Sequence, residues 1–343
     1  MAAYTTIDDP TQYFEVITYS GDGNSTQNIT ANFQADLSWI KHRSTTAAHT
    51  IQDSVRGFNA ANKLSSNEND EENDSGGATW ENYGHVSAVS SSNFTVSLGA
   101  NTPYQTNASG VNYIAWHWKE SATAGFDIVS YTGNGSARTI SHSLSAVPKM
   151  VIVKTRSAAK EWFIYHQALG NTKEIYLEST DAAYDGTSAW NSTTPTSSVF
   201  SVGSHTKTNG DGDTIIAYCF EEKQGFSKFG SYTGNANADG PFIYTGFSPS
   251  FVMAKMTSGT GNWNTFDNKR TDSSGGNVID KRIKNNSNAA EIDGTANQVD
   301  FLSNGFKWRG TDDDTNVSGG TFIYMAFAEA PFVNSNGVPC NAR

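Results

Sequence analysis

Tyr19-Ser-Gly-Asp-Gly23, Tyr131-Thr-Gly-Asn-Gly135 and Tyr232-Thr-Gly-Asn-Ala236 are one motif written three times, 112 and 101 residues apart. Further along each copy come Leu37-Ser-Trp-Ile-Lys-His-Arg-Ser44, Met150-Val-Ile-Val-Lys-Thr-Arg-Ser157 and Phe251-Val-Met-Ala-Lys-Met-Thr-Ser258, spaced by 113 and 101. His49, Trp162 and Trp263 then align, as do Asp53, His166 and Asp267. Each copy closes on an Asn-x-x-Gly turn before an apolar run: Asn107-Ala-Ser-Gly110, Asn209-Gly-Asp-Gly212 and Asn316-Val-Ser-Gly319. Ordered anchors in a fixed register are the signature of an internal repeat.

Within a copy the pattern is that of strands. Phe14-Glu-Val-Ile-Thr-Tyr19 and Phe126-Asp-Ile-Val-Ser-Tyr131 alternate with period two, which places apolar residues on one face. Met150-Val-Ile-Val153 is continuously apolar, so it reads as a strand buried on both faces. Gly and Asn interrupt every helical window. The expected fold is all-β: three tandem β-sandwich units, jelly-roll or lectin-like, of about 100 residues each. The expected boundaries are an arm at 1–12, units at 13–120, 125–223 and 225–330, and a tail at 331–343. Helix should stay below ~10%, against a usual ~30–35%. Asn67-Glu-Asn-Asp-Glu-Glu-Asn-Asp-Ser-Gly-Gly77, peculiar to the first unit, reads as an exposed acidic loop. The linker at Lys223-Gln224 is short enough to pack the second and third units together.

Composition excludes several functions. The 343 residues carry 34 acidic and 23 basic side chains, a formal charge of −11. No basic face is available to neutralise phosphates, so no nucleic acid partner is expected. No apolar run reaches the ~20 residues that span a bilayer, so no membrane insertion is expected. The first ten residues lack the basic and apolar stretches of a secretory leader. Two cysteines, Cys219 and Cys340, cannot build a disulfide framework and read as free thiols, suited to a reducing cytoplasm.

No catalytic residue, metal ligand or cofactor site is expected. The seven histidines are scattered, and no nucleophile, base and orienting group recur together. Carboxylate pairs such as Glu161 with Glu174 do not recur in all units. Asn209-Gly-Asp-Gly-Asp213 has a calcium-like ladder of oxygens but lacks the distal bidentate Glu, and sits where a turn is needed. Lys41, Lys154 and Lys255 follow the central apolar runs, where a lysine lays its stem on the sheet and keeps its head in water. Trp80, Trp162, Trp190 and Trp263 are the candidate glycan or interface contacts, because aromatic faces suit sugar C–H surfaces and buried interfaces alike.

Four stretches resemble a known family: Thr6-Ile-Asp-Asp-Pro-Thr-Gln-Tyr-Phe14, Pro195-Thr-Ser-Ser-Val-Phe-Ser-Val-Gly203, Gly225-Phe-Ser-Lys-Phe-Gly-Ser-Tyr-Thr-Gly-Asn235 and Ala326-Phe-Ala-Glu-Ala-Pro-Phe-Val-Asn-Ser-Asn-Gly-Val-Pro339. They are similar to virion proteins of tailed phages, marine phages in particular, described as structural or tail-fibre proteins. The resemblance implies a non-enzymatic virion component assembled in a bacterial cytoplasm. A tail fibre or surface appendage that binds the host cell, through a surface glycan or protein, is the leading expectation. The alternatives are a capsid-decorating or tail-body protein without receptor binding, and a depolymerase acting on host envelope glycans. Partners would be other virion proteins and further copies of this chain. Trp80, Trp116, Trp118, Trp190 and Trp308 are many aromatics against 17% charged residues, which favours a homo-oligomer, with a trimer expected on the fibre analogy. Residues 1–12 would be the arm that reaches a neighbour.

Overall fold

The computed structural model describes residues 4–74, 79–271 and 278–340. The fold is all-β, with 41% strand and 6% helix. Three consecutive segments each supply one large antiparallel sheet. In the first, the strand order is Phe14–Ser20, Asn112–Trp118, Leu37–His42, Thr50–Asp53. In the second it is Phe126–Thr132, Thr214–Phe220, Met150–Thr155, Phe163–His166, and in the third Ser227–Thr233, Thr321–Pro331, Phe247–Met256, Trp263–Asp267. The second and third sheets each add two outer strands. A smaller sheet lies over each large one, led by Thr26–Thr30, Arg138–Ser141 and Phe242–Tyr244.

Side-chain alternation explains how the layers stack. In Thr214–Phe220, Ile215, Ala217 and Cys219 face a core private to the second segment, while Ile216, Tyr218 and Phe220 face a core common to all three. Met150–Thr155 divides the same way, with Val151 and Val153 on the private side and Met150 and Ile152 on the common side. A strand buried on both faces therefore needs apolar residues at every position, as its sequence has. The private cores of the first and third segments repeat the arrangement. At the common centre the aligned residues Trp118, Phe220 and Phe327 form a ring triangle, with centroids 6.3, 6.2 and 5.8 Å apart. The three large sheets thus surround one axis with near-threefold symmetry.

Several expectations change. Residues 4–12 are not a free arm: Thr5, Ile7 and Pro10 are buried, and Tyr4 Oη donates to Gly246 O at 2.9 Å. Residues 1–3 lie outside the described residues. The tail is held too, since Asp8 accepts from Ser335 N–H at 2.7 Å and Cys340 N–H donates to Phe332 O at 3.1 Å; 341–343 lie outside the described residues. The acidic stretch is half-buried over residues 67–74 apart from exposed Asn69. Its Glu72 carboxylate sits between the guanidiniums of Arg56 and Arg156, which compensate the charge that was expected to keep it in water. Residues 75–77 of that stretch lie outside the described residues. The five tryptophans offered as an interface are all buried within one chain, so they no longer argue for a trimer of chains. Cys219 is buried and Cys340 exposed, both free. None of the helices is long and apolar enough to cross a membrane, among the described residues.

Candidate functional site

The repeated motif is a clamp. Tyr19, Tyr131 and Tyr232 donate to Thr106 O, Thr208 O and Thr315 O at 2.7, 2.7 and 2.8 Å. The next residues, Asn107, Asn209 and Asn316, accept from Asp22, Asn134 and Asn235 N–H at 3.1, 3.1 and 2.9 Å. Their amide nitrogens donate to Asn24 O, Ser136 O and Asn237 O at 2.9, 2.6 and 2.9 Å. A Cβ on Gly21, Gly133 or Gly234 would lie 2.2, 2.0 or 2.4 Å from the carbonyl oxygen of the facing turn. Close approach is what demands glycine there. The calcium-like reading of 209–213 therefore finds its Asn209 spent on the turn and its Asp213 paired with Lys160.

The segments are fastened in a cycle. Trp162 Nε1 donates to Ser65 O of the first segment at 2.9 Å, and Trp263 Nε1 to Tyr176 O of the second at 2.7 Å. His49 closes the ring on Lys284 O of the third at 3.2 Å. Its Nδ1 accepts from Trp39 Nε1 at 2.8 Å, so the proton sits on Nε2 and donates. Lys154 and Lys255 follow the same rule, reaching Asn69 O at 3.1 Å and Asp181 O at 2.8 Å across their junctions. Lys41 donates to His42 O at 2.7 Å. All three ammonium groups are buried on carbonyl oxygens, contrary to the expectation of heads in water, because the neighbouring segment covers them. Burial, resisted by the Glu291 charge, pushes Lys41 down to about 7. Burial likewise pushes Lys154 and Lys255 down to about 8.

An ionic latch crosses two of the three junctions. Arg56 binds Asp53 at 2.5 Å and Glu72 at 2.8 Å, and Glu72 also binds Arg156 of the second segment at 2.6 Å. Arg270 binds Asp267 at 2.7 Å and Glu291 at 3.1 Å, and Glu291 also binds Arg43 of the first segment at 2.8 Å. At the second–third junction the four aligned positions hold His166, Leu169, Ala183 and Thr257. The backbone pairing is unchanged there, Ala183 N–H to Thr257 O at 3.0 Å against 2.8 Å at each of the others. A buried ion network is costly when broken and harmless when replaced whole, and this junction replaces it whole. The latch was missed in sequence, although Asp-x-x-Arg at 53–56 and 267–270 sits in an aligned slot.

One row of side chains has the form of a catalytic triad. Ser38 Oγ lies 3.1 Å from His117 Nε2, and His117 Nδ1 lies 3.7 Å from Glu15 Oε1. The three are cross-strand neighbours in the first large sheet. Ser38 and His117 are fully buried, with the Phe94 ring 4.5 Å from the imidazole, so no substrate reaches the hydroxyl. Among the carboxylates weighed for glycoside hydrolysis, Glu161 is paired with Lys207 at 2.7 Å and Glu174 is buried.

The four tryptophans singled out in the sequence do not meet in one site. Trp162 and Trp263 are junction donors in the common core, and Trp190 packs on Tyr165 at 5.8 Å in the private core of the second segment. Trp80 lies under Lys63, whose ammonium is 5.6 Å from the ring centre. Their exposures of 5, 0, 2 and 1% for Trp80, Trp162, Trp190 and Trp263 leave no face for a sugar, which corrects the glycan reading and keeps packing between segments for Trp162 and Trp263. Among the described residues, two of the clefts that open to solvent lie elsewhere. One, of about 340 Å³, is lined by Glu15, Asn32, Lys269 and Glu329 at the third–first junction. The other, of about 230 Å³, is lined by Tyr4, Glu222, Gln224, Ser227, Lys228 and Tyr244. Neither was legible in sequence, since each gathers residues from distant segments.

No curated protein matches the chain. It is similar to a solved structure described as "Crystal Structure of the STIV MCP", at 10% identity and a TM-score of 0.21, over 61% of this chain and 95% of that one. A likeness that low carries no argument. A family model matches residues 9–331, which take in all three segments. The chain belongs to the family described as "Domain of unknown function (DUF7483)".

Proposed function

We propose that the chain is a non-enzymatic structural protein of a phage virion, assembled in the host bacterial cytoplasm and carried as a tail fibre or other surface appendage that binds the host cell. The observation that supports this most is where the recurring polar residues go. The aligned tyrosines and asparagines fasten turns, and Trp162, Trp263, His49, Lys154 and Lys255 fasten junctions, rather than lining a cleft. Repetition here serves rigidity. The resemblance of the four long stretches to phage virion proteins agrees with it. The partners are other virion proteins and the host surface. A trimer of chains is not required to surround an axis, because one chain already does so.

Imaging virions with an antibody to this protein tests the reading, together with binding of the purified chain to whole host cells. Label on tail appendages and binding to cells are expected. Label confined to the head, or release of new reducing ends from host envelope glycans, would overturn it in favour of a decorating protein or a depolymerase respectively.

A further inference from the structure

Three strands of the smaller sheets occupy one structural position. Ile29, Ile140 and Ile243 point into the private cores, each opposite a phenylalanine: Phe94, Phe200 and Phe306. The residues flanking each isoleucine face outward. In the first segment they are Asn28 and Thr30, and in the second Thr139 and Ser141, all polar. In the third they are Phe242 and Tyr244, 46% and 54% exposed. The fold is built twice with small polar residues at these positions, so packing does not call for aromatic rings there. Exposed aromatics on one face of a strand need another reason.

The surroundings supply it. Tyr244 forms one wall of the 230 Å³ cleft, and Tyr4 forms another, its hydroxyl 3.3 Å from that of Tyr244. Gly246 has φ +83°, and a Cβ there would come within 2.7 Å of the Tyr4 hydroxyl, so the glycine lets the tyrosine seat. The far wall is polar. Lys228 Nζ is paired with Glu222 at 2.7 Å, and both are part-exposed. The Gln224 side chain is exposed beside them. Aromatic faces stack on the C–H face of a pyranose, while a carboxylate, an amide and an ammonium take its hydroxyls. The volume is below the ~300 Å³ that begins the range for drug-sized ligands, which suits a single sugar ring.

We infer that this cleft, walled by Tyr4 and Tyr244 and with Phe242 exposed on the same outer face of the Tyr244 strand, is a saccharide-binding site of the third segment. The inference rests on the host-binding reading above and locates it. The test uses saturation-transfer NMR on the full chain with methyl glycosides of a hexose, an N-acetylhexosamine and a 6-deoxyhexose. The double variant Phe242→Thr, Tyr244→Ser gives the third segment the outward residues of the second, so it should fold with an unchanged melting temperature. Transfer to at least one glycoside is expected from the native chain, and at least a tenfold weaker signal from the variant. No transfer to any glycoside from the native chain, or equal transfer from the variant, would overturn the site. Adhesion to host cells separates the two claims. A variant that still adheres as well as the native chain removes this site but leaves host binding standing, whereas a native chain that does not adhere removes the host-binding reading itself.

Discussion

At the scale of single residues, two kinds of position carry most of the specificity. Gly133 and Gly135 stand two apart in one turn yet are required differently. A Cβ on Gly133 would fall 2.0 Å from Gly210 O, while one on Gly135, at φ +67°, would meet Asp211 Cβ at an ordinary contact distance of 3.5 Å. The third copy has Ala236 at the position of Gly135, with φ +52°. Gly135→Ala should therefore cost only the ~1–2 kcal/mol of left-handed backbone, and Gly133→Ala several times more; urea unfolding of both variants checks the order. The sequence shows that these glycines recur, but not which of them is held by close contact and which by a positive φ. Which glycine is held by contact depends on the facing turn at Gly210, roughly eighty residues further along the chain. The buried lysines make a second prediction. Unfolded lysine titrates near ~10.4, while burial holds Lys41 near about 7 and Lys154 and Lys255 near about 8. Between about pH 8 and 10 the unfolded chain thus binds more protons than the folded one, so stability rises with pH across that window. Above it the gain reverses, because burial raises the pKa of Tyr131 and the folded state keeps a proton that the unfolded state loses. Melting temperatures from pH 7 to 10 should climb, with a shallower slope in Lys154→Met. A flat native profile would contradict the burial of these groups.

At the scale of elements, the junctions are where function of the fold is concentrated. Removing Arg56 alone leaves the fully buried Asp53 with the Tyr218 hydroxyl but no cation, and takes one of its two guanidiniums from Glu72, so Arg56→Leu should cost about 3–5 kcal/mol. Adding Asp53→His, Glu72→Ala and Arg156→Thr copies the second–third junction, and most of that loss should return. Denaturant unfolding of the single and fourfold variants decides it; an equal or larger loss in the fourfold variant would mean that the two junction types are not interchangeable. The third–first latch is also acid-sensitive. Burial alone would raise the pKa of Glu291, but hydrogen bonds from Arg43 and the Arg270 charge outweigh it and hold the carboxyl below its usual range. Its contribution is complete above the unfolded carboxylate value of ~4.3 and fades as pH falls through the lower folded value. Glu291→Gln should therefore be least stable relative to the native chain near neutrality and approach it in acid. The strands themselves were readable, as Met150-Val-Ile-Val153 shows, because burial on both faces leaves an unbroken apolar run. The latch was not, because a charged side chain in sequence reads as solvated until the opposing element is known. Arg56 and Glu72 are 16 residues apart, and their fourth partner, Arg156, comes from the next segment.

At the scale of the molecule, three sheets share one core, closed in a cycle by Trp162, Trp263 and His49. Of the aromatic surplus that suggested an interface between chains, Trp116 and Trp118 lie at that centre and Trp190 and Trp308 in private cores, and composition alone could not distinguish an internal interface from an external one. Light scattering should accordingly return the mass of one chain, 37.0 kDa, at micromolar concentration. Residues 125–223 expressed alone would expose Ile152, Ile164, Ile216 and Phe220, and should self-associate to cover them. The most direct test of the closed ring is native-state hydrogen exchange read by mass spectrometry on Leu37–His42, Met150–Thr155 and Phe247–Met256, the strands that line the common core in each segment. If the three sheets stabilise one another around a single core, the slowest amides of all three strands open with the same free energy and the same denaturant dependence. Three distinct opening free energies, each lost at its own denaturant concentration, would contradict it and leave three independent units on one chain.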